Sequence, residues 1–379
     1  MTKSLCLHVG DCKTGSTSIQ TVLQTGAFKS PERSVLYPVE KGRLHHCALA
    51  ATLYKPRMKP RRKTAFKALS QQLNASNADV AIVSGEWFEY ADPELLDRVL
   101  RRRLPRYAET TRIIAYVRPH AERLVSSYQE RAKLGHAVGS LKAFHATSRA
   151  KGLFEYAPRL RRWREVFGDR YTVRPMVRSR LAGGDVVKDF LDLALEGAPV
   201  TVGETTSVNT SLGVRDLALV LAMHRGGKLP SQAVRHLSWA LQELSGEGDK
   251  GGGERLRLDR ALLAEVRADY LDDARACDEE FFGGDDFQRA FDRAAATAVD
   301  APQVIAPEKV LTPQELRRSA AVARALREMA RELWHARARI AELEAAAGLD
   351  HDEDDDDDET QAEDAAAASR RPALLRRFA

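Results

Sequence analysis

The chain has few cysteines, and no two of them stand at a spacing typical of a zinc site or a disulfide framework. Its 379 residues include only Cys6, Cys12, Cys47 and Cys277. Such isolated cysteines exclude a small disulfide-stabilised fold, so the stability must come from an apolar core. We therefore expect all the thiols to be reduced.

The sequence also lacks any stretch that approaches the ~20 consecutive apolar residues of a membrane-spanning helix. Its first residues run directly into a short apolar segment and a charged loop, without the apolar core of a secretory signal. From these features we predict no membrane span and a cytoplasmic location. A length of 379 residues suits one large α/β domain with an appendage, or two domains.

Acidic residues are scarce outside one segment. The formal net charge is +5, but eleven acidic residues and no Lys or Arg lie between Asp350 and Asp364. The rest of the chain carries 59 basic and 43 acidic residues, a net charge of +16. This excess favours an anionic partner, whether a phosphorylated cofactor, an acidic glycan, nucleic acid or a membrane surface, without choosing among them.

The glycine loop of nucleotide kinases, in which Gly-Lys-Ser/Thr ends the motif, is absent as well. Instead, Leu5–Val9 predicts a strand, Gly10 and Gly15 permit a tight loop, and Ser16 begins an amphipathic helix. This layout gathers backbone N–H groups and the positive end of a helix dipole at one point, where a phosphate is stabilised. Lys13 precedes the second glycine and adds a mobile positive charge.

A second apolar strand ends in an arginine. The segment Arg112–Val117 predicts a buried strand, Arg118 follows at its carboxyl end, and Pro119 favours the first turn of a helix. Ser126 lies two turns along that helix. Arg118 and Ser126 are therefore placed to bind one phosphate together, the arginine through its planar fork of donors.

Two segments offer a general base. The apolar strand 79–84 is followed by Glu86, and ligands collect at the carboxyl ends of strands in parallel α/β sheets. His45 and His46 belong to the residue type whose ordinary pKa suits proton transfer at neutral pH. Glu86 equally fits a carboxylate that caps the next turn, and a histidine equally fits a helix cap or surface position, so these alternatives stay open.

Two motifs occur in a characteristic order, about a hundred residues apart. The first is Lys13–Thr17 after a strand, and the second is Arg118–Tyr128, in which Arg123 and Ser126 stand at offsets of five and eight. Together they resemble the sulfotransferase family that uses 3′-phosphoadenosine 5′-phosphosulfate, and are most similar to its bacterial, glycan-sulfating branch. The resemblance covers about residues 3 to 290.

This resemblance implies a P-loop-NTPase-like three-layer α/β fold with a central, mainly parallel sheet, followed by C-terminal helices. It implies 3′-phosphoadenosine 5′-phosphosulfate as cofactor and a carbohydrate acceptor, with no nucleic acid partner and no metal. Arg118 and Ser126 would bind the 3′-phosphate, Lys13 would stabilise the leaving oxygen, and Glu86 or His46 would act as the base. The 5′-phosphosulfate would be held by Lys13, Thr14, Gly15, Ser16, Thr17 and Ser18.

The chain changes character after the domain predicted for residues 1–295. Residues 296–311 are interpreted as a linker, and Thr312–Glu315 forms a capping box. A helix is predicted over 312–348, and the acidic tail 349–379 is expected to be disordered. The helix carries apolar residues at alternating steps of four and three: Val322, Leu326, Met329, Leu333, Ala336, Ile340 and Leu343. This spacing predicts either a short coiled coil through which the chain dimerises or a helix that packs back on the domain.

Two other functions remain as alternatives. A P-loop nucleotide kinase or NTPase is disfavoured by the position of Lys13 and by the lack of a clear magnesium-binding aspartate. A non-enzymatic basic scaffold that binds acidic polymers is the second. The basic segment 55–67 is interpreted either as a solvated linker or as the entrance for an acidic substrate.

Overall fold

A five-stranded sheet lies at the centre of the computed structural model, which describes residues 1–40, 42–136, 139–203, 212–244 and 254–346. The strands are β1 Ser4–His8, β2 Phe28–Lys29, β3 Val35–Leu36, β4 Val80–Ser84, β5 Arg112–Val117, β6 Tyr171–Pro175 and β7 Thr201–Val202. The central sheet has the order β3-β4-β1-β5-β6 with all neighbours parallel, while β2 and β7 form a small antiparallel pair. The predicted α/β class with a mainly parallel sheet is confirmed.

Helices surround this sheet. The α-helices of the described ranges are α1 Ser16–Thr25, α2 Cys47–Tyr54, α3 Arg62–Ala75, α4 Pro93–Arg103, α5 Pro105–Ala108, α6 His120–Lys133, α7 Leu141–Ala150, α8 Ala157–Phe167, α9 Val186–Ala194, α10 Val214–Met223, α11 Ser231–Leu244, α12 Arg260–Cys277, α13 Asp286–Thr297, α14 Pro307–Val310 and α15 Pro313–Ala346. In those same ranges, no helix combines the length and apolarity needed to cross a membrane.

Both faces of the sheet are buried, which is why its strands are nearly continuous apolar runs. Alternate residues of β1 enter different clusters: Leu5 and Leu7 join the larger cluster, and Cys6 joins the smaller one. The larger cluster contains residues of α2, α3, α4, α6, α8, α12 and α13, while α1 and α9 cover the opposite face. The three-layer arrangement predicted for the chain follows from this alternation.

The strand order determines where the motifs meet. β1 lies between β4 and β5, and all three strands run in the same direction. The glycine loop after β1, Glu86 after β4 and Arg118 after β5 therefore emerge at one edge of the sheet. This is the edge at which parallel α/β folds bind their ligands.

The region after the sheet is more closely packed than its composition indicates. Tyr270 of α12 and Phe287 of α13 belong to the main core. Ile305 and Leu311 are buried although they fall in the stretch 296–311, which we interpreted as a linker. The division into domains stays a prediction, and the acidic tail lies outside the described residues.

Candidate active site

The chain leaves β1 through a tight loop that ends at the first turn of α1. Gly15 is the N-cap residue with φ of 82°, and Lys13 also has a positive φ, of 70°. A Cβ at Gly15 would lie 2.7 Å from Cγ1 of Val186, so the backbone conformation and the close packing both require glycine. Thr14 Oγ1 donates to the carbonyl oxygen of Asp11 at 2.6 Å. The loop thus leaves the N–H groups of Ser16 and Thr17 without an acceptor in the helix and facing a common point, while the N–H of Ser18 donates to the carbonyl oxygen of Gly15 at 3.0 Å.

The three hydroxyl residues at the start of α1 have different surroundings. Ser16 is buried, and its Oγ has no hydrogen-bond partner among the described residues. Thr17 is exposed and Ser18 is half-buried. A Cβ at Gly10 would lie 2.7 Å from Ser16 Oγ, so only glycine at that position lets the hydroxyl sit against the loop. A buried hydroxyl without a protein acceptor beside a helix N-terminus fits a donor to a bound anion.

Lys13 is held by a carboxylate that lies outside the two motifs. Its Nζ lies 2.6 Å from Oε2 of Glu130 on α6, and Lys133 Nζ lies 3.0 Å from the same oxygen. Burial lowers the pKa of Lys13, but the charge and hydrogen bond of Glu130, together with the charges of Glu86 and Cys12, hold the pKa above its ordinary value. Glu130 follows Ser126 by one helical turn on the same face of α6, a spacing that could have predicted it.

Arg118 and Ser126 are brought together, as their spacing predicts. Arg118 Nη1 donates to Ser126 Oγ at 3.2 Å, and the main-chain oxygen of Arg118 accepts a hydrogen bond from Tyr156 Oη at 2.9 Å. Burial is the main cause that lowers the pKa of Arg118. Its Nε is buried and has no partner in the described part of the chain. The pair therefore has donor capacity left for an anion.

Glu86 opens the short 3-10 helix that follows β4 and is half-buried. Its negative charge is among the influences that raise the pKa of Lys13, so the two side chains face the same region. A half-buried carboxylate at a strand end, near a lysine at the mouth of an anion loop, suits a general base.

His46 has a different environment. Its Nδ1 accepts a hydrogen bond from the N–H of Ser84 at 3.1 Å, and its Nε2 lies 3.1 Å from the carbonyl oxygen of Pro38. Nδ1 also lies 3.2 Å from the carbonyl oxygen of Ser84, and burial lowers the pKa of His46 to about 4. Because both ring nitrogens bind main-chain groups, His46 connects the end of β4 to the segment before α2.

A buried charged cluster lies beneath the loop and joins Arg123 of the second motif to three residues outside the two motifs. Arg159 of α8 binds both carboxylate oxygens of Asp11, at 2.6 and 2.9 Å. Glu89 lies 3.5 Å from Arg159 and 3.8 Å from Arg123. Burial and the charge of Asp11 raise the pKa of Glu89 to about 7. The four side chains come from four separate segments, so no local spacing in the sequence links them.

His8, at the end of β1, is a further residue that the sequence motifs did not identify. Its Nδ1 lies 2.8 Å from Oγ of Ser84, which also accepts a hydrogen bond from Gln20 Nε2 at 3.2 Å. Burial lowers the pKa of His8 to about 3, so the ring is neutral. These contacts join β1, β4 and α1 directly below the loop and fix the direction of the helix N-terminus.

No protein-family model and no curated protein matches this chain. Among solved structures, it is similar to the crystal structure of a sulfotransferase from Alicyclobacillus acidocaldarius, with 13% sequence identity and a TM-score of 0.40. The match covers 75% of this chain and 98% of that one.

Proposed function

We propose that the protein is a sulfotransferase that transfers a sulfuryl group from 3′-phosphoadenosine 5′-phosphosulfate to an acceptor hydroxyl or amine on a carbohydrate. The observation that supports this most directly is a pair of anion-binding arrangements on neighbouring strands. One is the loop and helix N-terminus after β1, and the other is Arg118 with Ser126 after β5. The proposed cofactor has an anionic group at each end of its ribose, whereas ATP has a single chain of phosphates.

The residues present fit such a cofactor. The buried Ser16 hydroxyl and the buried Nε of Arg118 are both unsatisfied among the described residues, and each stands at one of the two arrangements. The N–H groups from Thr14 to Thr17, with the hydroxyls of Ser16, Thr17 and Ser18, would hold the 5′-phosphosulfate; the N–H of Ser18 itself donates to the carbonyl oxygen of Gly15. Arg118 and Ser126 would hold the 3′-phosphate.

When bound, this cofactor supplies the sulfuryl group and an anionic leaving group. Lys13 would stabilise the negative charge that grows on the bridging oxygen, after exchanging its contact with Glu130 for one with the ligand. Glu86 would accept the proton of the acceptor. The buried cluster of Asp11, Glu89 and Arg159 would keep the loop in place, because it ties the loop to α8.

An acidic carbohydrate is the acceptor class that the surface charge supports. A cleft of about 330 Å³ lies between α3 and α4, and no acidic residue lines it. Lys55 Nζ lies 4.4 Å from the ring centre of Trp87, which follows Glu86 directly. This contact connects the basic segment to the candidate base. The cationic lining residues are Lys59, Arg62, Lys63, Arg98, Arg102 and Arg103.

Transfer of labelled sulfate to a panel of carboxylated polysaccharides, neutral polysaccharides and small alcohols tests this proposal. We expect product with a carboxylated polysaccharide, and a loss of roughly 100-fold or more in turnover for Lys13→Ala. Lys3→Ala is the matched control, because Lys3 also forms an ion pair, with Asp79, but lies at the opposite end of β1. Turnover of Mg-ATP without sulfate transfer would support a kinase instead, and polymer binding without either reaction would support a scaffold.

A further inference from the structure

Helix α15 has two different apolar faces. One face packs against the rest of the protein: Ser319 and Ala323 are buried, Leu326 contacts the main core, and Arg327 donates to the carbonyl oxygens of Met223 and Gly227. The other face is exposed to solvent. Its residues and their exposed fractions are Val322 46%, Met329 64%, Leu333 53%, Ile340 53% and Leu343 54%.

The exposed apolar face begins beside the packed part of α15, and not only beyond the point at which the packing ends. Val322 is exposed although Ala323, its neighbour, is buried. At about 100° per residue, the exposed residues centre about 110° around the helix from Ala323. Of the stripe identified in the sequence, Leu326 packs on the domain, whereas Val322 and the stripe residues from Met329 to Leu343 are exposed.

The exposed stripe has the spacing of a coiled-coil seam. Met329, Leu333, Ala336, Ile340 and Leu343 alternate in steps of four and three, as the a and d positions of a heptad do. A stripe of this kind is complementary to a second helix with the same spacing, which a second copy of the chain supplies.

The flanking charges indicate the orientation of that second copy. Glu332 and Arg337 occupy g and e positions, five residues apart, and both are exposed. In a parallel, in-register pair, the g residue of one helix faces the e residue of the next heptad of the other. Each Glu332 would then meet the Arg337 of the second copy. In the sequence, Arg339 at the next g position is followed by a glutamate five positions later. This second g–e pair has its charges in the reverse order and is again attractive.

We propose that α15 forms a parallel, in-register two-stranded coiled coil with a second copy of this chain, through the stripe Met329–Leu343. The packed face points about 110° away from the seam, so a twofold axis between the helices places the two sheet domains on opposite sides. Neither domain then obstructs the contact. This assembly is independent of the proposed reaction.

Sedimentation velocity of the full chain tests the interface. We expect a species of twice the monomer mass at micromolar concentration. The double variant Leu333→Glu, Ile340→Glu should be a monomer, with a dimer dissociation constant at least roughly 100-fold higher. Trp334→Glu is the matched control: Trp334 is 63% exposed on the same helix but lies outside the stripe, so the dimer should persist. A monomeric wild-type chain at roughly 100 μM, or a dimer that survives the double variant, would overturn the proposal.

Disulfide trapping tests the orientation. All native cysteines are buried, so an added surface cysteine reports on the seam alone. Ala336→Cys at a d position should cross-link two chains on mild oxidation, since the two copies of that residue face each other only when parallel and in register. Ala338→Cys on the opposite side of the helix should not. Cross-linking by Ala338→Cys, or none by Ala336→Cys in a dimeric sample, would contradict this arrangement.

Discussion

At the scale of single residues, the sequence predicts contacts within one motif better than contacts between distant segments. Lys13, Arg118 and Ser126 stand in local motifs, and the structure places Arg118 against Ser126 as their spacing indicates. The partners of Lys13 and Asp11 are Glu130 and Arg159, which come from distant segments. The fold brings both pairs together: the helical spacing from Ser126 points to Glu130, but no spacing in the sequence points to Arg159.

The assignment of the base predicts a clear kinetic difference. Glu86→Gln should lower turnover by roughly 100-fold or more, because an amide cannot accept the acceptor proton. Its affinity for adenosine 3′,5′-bisphosphate should be unchanged or higher, since a negative charge near Lys13 is removed. Steady-state kinetics and calorimetry measure the two quantities, with the exposed Glu94→Gln as control. Near-normal turnover of Glu86→Gln would assign the base to another residue, with His46 the next hypothesis.

The buried carboxyl of Glu89 predicts a pH dependence of stability. Its pKa is raised from the ordinary 4.5 to about 7, so the folded protein binds more protons than the unfolded chain between those values. The stabilisation from this group is fully present below the unfolded pKa and is lost as pH rises through the folded one. Urea unfolding should show that the stability of the wild type relative to Glu89→Gln falls from pH 5 to pH 8. Parallel profiles for the two proteins would refute the shift.

At the scale of elements, the apolar runs predicted the strands of the central sheet well. The strands expected around Leu5–Val9, 79–84 and Arg112–Val117 are β1, β4 and β5. These runs can be recognised in the sequence because both faces of the sheet are buried. The packing of the stretch 296–311 was harder to predict. Its few apolar residues, such as Ile305 and Leu311, are buried by contacts that the local sequence does not reveal.

The turn from β1 into α1 predicts a strong effect at one glycine. Gly15→Ala should lower the free energy of unfolding by about 2 kcal/mol or more, because it adds both a positive-φ penalty and an overlap with Val186. It should also weaken nucleotide binding, since the helix N-terminus must shift. Gly26→Ala is the control: Gly26 has φ of 66° but nothing within 4 Å of an added Cβ. Thermal unfolding and calorimetry compare the two, and equal effects would contradict this role for the loop.

At the scale of the whole molecule, the fold class and the meeting of the motifs at one sheet edge were predictable, because parallel strand order leaves few arrangements. The surface against which α15 packs was not predictable. Its apolar spacing fitted two outcomes, and only the exposed Val322 beside the buried Ala323 separates them. The basic cleft between α3 and α4 likewise depends on two segments that the sequence shows only as separate charge clusters.

We propose that one edge of the sheet binds a nucleotide through both its 5′ and 3′ anionic groups. The most direct measurement is calorimetry of adenosine 3′,5′-bisphosphate and of adenosine 5′-monophosphate, without added metal, on the wild type and on Arg118→Ala. We predict that the bisphosphate binds the wild type roughly 10- to 100-fold more tightly than the monophosphate, and that Arg118→Ala loses most of this difference. Equal affinities for the two nucleotides in the wild type, or a difference that persists in Arg118→Ala, would contradict the account.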